Sequence, residues 1–112
     1  MASREIYTGD TYPPIKLQVS DETGLLDLTT ASGLQAIFDG ARFSFSGTAT
    51  AIDPPEVDPD GIHTWNCQFV PTAVNTSQAD VYNIFIKVMW SALNIETFAT
   101  GDTLTILPAP TP

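Results

Sequence analysis

Apolar residues recur at every second position over most of this chain, the period of a half-buried strand and not of an amphipathic helix. Ile15, Leu17 and Val19 alternate with Lys16 and Gln18, which puts three aliphatics on one face of an extended segment and two polar side chains on the other. The stretch 41–52 reads as extended chain too, with Phe43 and Phe45 followed by Thr48, Thr50 and Ile52, and Gly47 as the expected bulge or break. His63, Trp65, Cys67 and Phe69 form a bulky row opposite Thr64, Asn66 and Gln68, so the bulky row is expected to face a core. Tyr82, Ile84, Ile86, Val88 and Trp90 make the longest apolar row. Interleaved with Asn83, Phe85, Lys87 and Met89, it reads as a central strand. A last run over 103–107 closes the pattern.

Turn signals separate these runs about every ten residues. Asp21-Glu22-Thr23-Gly24, Asp39-Gly40, Asp60-Gly61 and Thr100-Gly101-Asp102 each combine an acid with a glycine able to take positive φ. Thr-Gly-Asp-Thr stands at 8–11 and again at 100–103 with unrelated surroundings, which reads as reuse of a good turn and not as duplication. Short strands at this spacing predict an all-β sandwich or small barrel. One helical turn is expected, at 76–80, where Thr76 or Ser77 could cap it. Prolines 54, 55 and 59 mark 53–61 as a stiff solvated loop, and Pro108, Pro110 and Pro112 should end the last strand.

With 112 residues and 43% apolar content, the chain is expected to form a single domain, 1–112. An extended N-terminal segment, 1–13, and a proline-rich tail, 108–112, should flank its core. Four basic against thirteen acidic residues leave a net charge of −9, a field that repels nucleic acid and anionic lipid. No stretch nears the roughly 18 apolar residues of a bilayer span, and the polar start over 1–5 does not resemble a secretory signal. Cys67 is the only cysteine, so no internal disulfide is expected.

Chemistry-bearing constellations are sparse. His63 and Cys67 sit four apart on one strand, about 13 Å, too far for a dyad, and no second histidine or cysteine exists to complete a zinc shell. The carboxylates of 53–61 resemble the opening of a calcium loop, but an EF-hand would need a glutamate where Cys67 stands. Neither a nucleophile elbow nor a phosphate-cradling glycine loop is present. The sequence therefore predicts no enzyme, no metal and no cofactor. Trp65 and Trp90 fall in the apolar rows and are expected in the core, whereas Tyr7 and Tyr12, beside Gly9 and Pro13-Pro14, are expected at the surface.

The order of elements resembles the N-terminal immunoglobulin-like domain of phage baseplate upper proteins and related β-sandwich modules of tailed-phage virions. The likeness runs through Tyr7-Thr8-Gly9-Asp10-Thr11-Tyr12 into the first aliphatic strand, then Asp27-Leu28-Thr29, Arg42-Phe43-Ser44-Phe45 and Gly61-Ile62-His63-Thr64-Trp65. It continues through Ala79-Asp80-Val81-Tyr82 to Glu96-Thr97-Phe98 and Leu104-Thr105-Ile106. Asp80 and Ala99 depart from it, standing where that family often has glycine and proline. The resemblance implies an antiparallel immunoglobulin-like sandwich of about seven to eight short strands, with Tyr82 as a corner tyrosine. It also implies a non-enzymatic structural role in the virion, assembled in the host cytoplasm, docking on tail, baseplate or capsid proteins and in contact with other copies of itself. Arg4, Tyr7, Tyr12, Pro108 and Pro110 are the expected interface residues, because extended ends without internal partners can add to a neighbour's sheet edge. The alternative is a module that binds carbohydrate or a host surface through an exposed aromatic patch.

Overall fold

The computed structural model describes residues 3–110, and the chain is all-β. Its strands are β1 (Ser3–Tyr7), β2 (Ile15–Leu17), β3 (Ser20–Asp21), β4 (Gly24–Leu25), β5 (Gly33–Gly40), β6 (Ser44–Thr48), β7 (Thr50–Val57), β8 (Thr64–Phe69), β9 (Asp80–Met89) and β10 (Ile95–Leu107). They form a five-stranded sheet, β1-β10-β9-β5-β6, a three-stranded sheet, β2-β8-β7, and the small hairpin β3-β4. Every pairing is antiparallel except β1 with β10, which is parallel and in register from Ser3↔Thr103 to Tyr7↔Leu107. Ten strands among the described residues exceed the seven or eight expected. The two-residue β3 and β4 carry no apolar row by which a sequence reading could find them.

The alternating rows build the core as their period requires. Leu34, Ala36 and Phe38 of β5, Tyr82, Ile84, Ile86 and Val88 of β9, and Leu104 and Ile106 of β10 form one buried cluster with Ile15, Leu17, Cys67 and Phe69 of the other sheet. Its aromatic centre is tight. The Phe38 ring stacks on Phe45 at 4.5 Å and lies 5.1 Å from Phe69, and Phe45 meets Tyr82 edge-on at 5.1 Å. Each spacing falls in the range where ring quadrupoles add to apolar burial.

Several expectations are corrected. The stretch 41–52 is not one strand broken at Gly47: the break falls at buried Ala49, where the chain leaves the five-stranded sheet in β6 and enters the three-stranded sheet in β7. Gly47 stays paired with Ala36, and the Phe69 ring occupies the space its side chain would need. The segment 53–61 is solvent-exposed as expected, but its first half is strand and not loop. β7 runs to Val57 and pairs Glu56 with Trp65, its register shifting between Ala51 and Glu56, so Pro54 and Pro55 fall in an irregularity of an edge strand, where a missing ladder donor is tolerated. The turn itself is short, closed by Gly61 N–H to the Asp58 carbonyl and Asp58 N–H to the His63 carbonyl. Thr100-Gly101-Asp102 makes a bulge inside β10 in place of a turn before a strand. Gly101 and Gly9 both take positive φ, 78° and 88°, so the repeated tetrapeptide serves two different bends.

No helix forms at 76–80. The hydrogen-bonded turn lies earlier, with Thr76 N–H on the Thr72 carbonyl and Ser77 N–H on the Val74 carbonyl. The one helical turn among the described residues is a 3-10 turn at Leu28–Thr30, capped by the Asp27 carboxylate, which accepts from Thr29 N–H. Asn66, expected on the polar face of β8, is 2% exposed. Its side chain accepts from Val19 N–H and donates to the carbonyls of Val19 and Leu26, so it fastens the β3–β4 region to the three-stranded sheet.

Candidate functional site

The five residues expected at an interface do not form one patch. Arg4 is turned inward from β1. Its guanidinium lies 5.2 Å from the Trp65 ring centre and donates to the Lys16 carbonyl, tying β1 of one sheet to β2 of the other. Burial pushes the Arg4 pKa down, and the nearby Asp102 and Asp58 carboxylates partly restore it. A cation held in this way serves the fold more than it serves an outside partner.

Trp65 is 7% exposed but stands outside the central cluster, on the flank that Arg4 covers. The His63 ring stacks on it at 4.9 Å and 3°, and its indole N–H donates to Asp58 Oδ1 at 3.1 Å. His63 Nδ1 in turn meets Asp60 Oδ2 at 2.8 Å. That hydrogen bond, with the backbone amides of Ile62 and His63, holds the Asp60 carboxyl well below the usual range. Beside Trp65 a shallow cavity of about 270 Å³ is lined by Arg4, Pro13, Pro14, Lys16, Asp58 and Trp65. Cys67, two residues further along β8, packs inside the central cluster. It is fully buried, and desolvation pushes its thiol up to about 12, so it is an inert apolar side chain at neutral pH. Among the described residues no three His, Cys, Asp or Glu side chains gather as a metal-ligand set.

Tyr7, Pro108 and Pro110 fall where the two ends of the chain run side by side. The premise that 4–12 lacks internal partners is corrected: 3–7 is a sheet strand, Tyr7 is paired with Leu107, and Thr8 N–H donates to the Leu107 carbonyl. Ala109 N–H returns to Thr8 Oγ1 at 3.1 Å. Gly9 N–H donates to the Thr76 carbonyl, and Thr76 Oγ1 to the Asp10 carbonyl, which pins the following turn to 72–76. What remains open is side-chain surface: Tyr7 is 44% and Tyr12 79% exposed, and Pro108 and Pro110 are exposed on the outgoing chain. The exposed aromatic and proline surface at this end is the candidate functional site.

Sequence reasoning missed the fastening of Arg4, because its partners Trp65, Lys16 and Asp102 lie far along the chain and no local pattern announces them. It also read 44–48 only as part of one extended stretch and did not single out the open outer edge of β6. In comparisons with known protein families, curated proteins and solved structures, no family model, curated protein or solved structure matches the chain.

Proposed function

We propose that this chain is an immunoglobulin-like sandwich of the variable type, acting as a non-enzymatic attachment module of a tailed-phage virion. The fold reading is supported by strand order. A sheet made of the last two long strands, β5 and an added β6, packed against β2-β8-β7, follows the arrangement of such domains, with β1 as an added edge strand. Tyr82 is the third residue of β9 and its hydroxyl donates to the Gln78 carbonyl at 2.8 Å, the backward bond of a tyrosine corner.

The functional reading rests on the exposed Tyr7, Pro108 and Pro110 where the chain ends meet, and on the exposed Tyr12 beyond the turn that follows β1. Aromatic rings on a hydrogen-bonded support bring large contact area at little entropic cost, which is what docking onto another virion protein needs. The test is particle incorporation of a Tyr7→Ala, Tyr12→Ala variant whose fold is checked by near-ultraviolet circular dichroism. Occupancy measured by mass spectrometry of purified virions should fall at least about tenfold, as expected for loss of aromatic anchors. Full occupancy would overturn the reading. The second reading, a carbohydrate-binding module, is favoured by the Tyr12 ring, open over most of its surface; glycan titration followed by intrinsic fluorescence separates the two.

A further inference from the structure

Edge strands invite pairing with another chain, and proteins block them with charge, proline or cover. The two main sheets have four open edges, β1, β6, β2 and β7, and three carry such a device. β1 holds Arg4 and Glu5. β2 has only three residues, follows Pro13-Pro14, and its Lys16 carbonyl is taken by Arg4. β7 contains Pro54, Pro55 and Glu56. β6 has none: it reads Ser44-Phe45-Ser46-Gly47-Thr48, without charge or proline.

The unpaired groups of that edge can be identified. Gly40 N–H donates to the Phe43 carbonyl and Ala49 N–H to the Leu34 carbonyl, and in an antiparallel ladder hydrogen-bonded pairs alternate with open ones. The register of β5 with β6 therefore assigns 45 and 47 to the inward ladder. Ser44, Ser46 and Thr48 turn their N–H and C=O groups outward. The strand is also held in place, since the Asp80 carboxylate accepts from the Arg42 and Phe43 amides at its entry and Phe45 stacks on Phe38.

We propose that β6 pairs antiparallel with β6 of a second copy, centred on Ser46, joining two five-stranded sheets into one. The edge is its own complement. With Ser46 opposite Ser46, Ser44 falls opposite Thr48, so all outward donors and acceptors meet partners and small hydroxyl side chains face one another. Each copy carries −9, but none of that charge lies on the paired strand, and added salt should strengthen association by screening the remainder. One strand pair covers less than a standard interface, so the dimer is weak, with a dissociation constant of about 10 µM to 1 mM. The inference stands apart from the virion reading and fails or holds independently of it.

Sedimentation equilibrium of the full chain up to about 1 mM, the weak limit set by a small interface, should show a monomer–dimer equilibrium. Ser46→Pro deletes an outward amide without touching the inner ladder, and Ser46→Lys keeps that amide but places charge on the edge. Both should sediment as monomers with wild-type circular dichroism, and the second serves if the first does not fold. In the paired dimer the two residue-46 Cα atoms lie about 5.5 Å apart, within the span of a disulfide, whereas the two residue-44 atoms are about 14 Å apart. Ser46→Cys should cross-link on mild oxidation and Ser44→Cys should not, the buried native thiol of Cys67 staying silent. A wild-type monomer throughout, a dimer indifferent to both Ser46 variants, or equal cross-linking from positions 44 and 46 overturns the proposal.

Discussion

At the scale of single residues, Gly47 shows how one missing side chain is spent on packing and not on backbone freedom. It lies in β6 without positive φ, and a Cβ placed there would stand 2.6 Å from Phe69 Cε1 and 3.0 Å from Cζ. The ring cannot simply retreat, because it is buried against Phe38 and Phe45. Gly47→Ala should therefore destabilise by about 1–3 kcal/mol, the usual cost of overpacking a filled core, although alanine has the better strand conformation. Urea unfolding checks this: the midpoint should fall at unchanged slope. A stabilised variant would mean that the phenyl ring swings freely. Gly47 was legible in sequence as a special position but not as this one, since the glycine itself says only that a side chain is unwanted. The reason sits 22 residues further along the chain, in Phe69.

Elements were legible where the backbone sets the period and illegible where partners decide. The rows at 15–19, 63–69 and 82–88 could be read because alternation across a pleat is a local property; the first and last fill the core, while of 63–69 only Cys67 and Phe69 do so. The transfer from β6 to β7 at Ala49 leaves the alternation undisturbed, so nothing in the pattern marks the change of sheet. Pro54 and Pro55 signalled a loop because proline cannot donate to a ladder, yet an edge strand with shifted register accommodates both. At the candidate site the exposed tyrosines were legible from their turn-forming neighbours, while the inward course of Arg4 was not. Asn66 is the sharpest case, its polar character implying solvent while its partners lie 47 and 40 residues upstream. Asn66→Ala leaves Val19 N–H and the Leu26 carbonyl without their Asn66 partner, and the Val19 carbonyl with only the Leu26 N–H, at a cost of roughly 2–4 kcal/mol. Hydrogen exchange should locate the damage: amides over 19–26 lose protection first, while those of β9, paired on both sides, keep theirs. Uniform loss across both sheets would show that this region is not a separate unit hung on β8.

The molecule as a whole is governed by excess negative charge, and two effects of opposite sign set its response to pH. Asp80 is held below the usual carboxylate range by the Arg42, Val81 and Phe43 amides, Asp60 chiefly by His63, and Asp21 and Asp27 by the hydroxyls and amides of Thr23 and Thr29. A depressed folded-state pKa contributes stability that is fully present above the unfolded value, about 3.9 for Asp, and is lost as pH falls through the folded one. These four groups therefore favour the fold everywhere above about pH 4 and withdraw that support below it. Self-repulsion runs the other way, strongest at neutral pH where the net charge is −9 and nearly gone at the isoelectric point near 4.1. Since the carboxylate bonds stay constant between pH 7 and 5 while repulsion declines, the urea midpoint should rise on mild acidification and drop steeply below about pH 4. Salt separates the two effects. At about 0.5 M, where the Debye length is only a few ångströms, the neutral side should climb towards the maximum. The acid limb should keep its position, because these carboxylates accept from amides, hydroxyls and, for Asp60, the His63 ring at hydrogen-bond contact, where there is no room for screening ions. A midpoint that falls steadily from pH 7 to pH 5 at low salt would show that ion pairs such as Lys16 with Glu56 outweigh the surplus of acid.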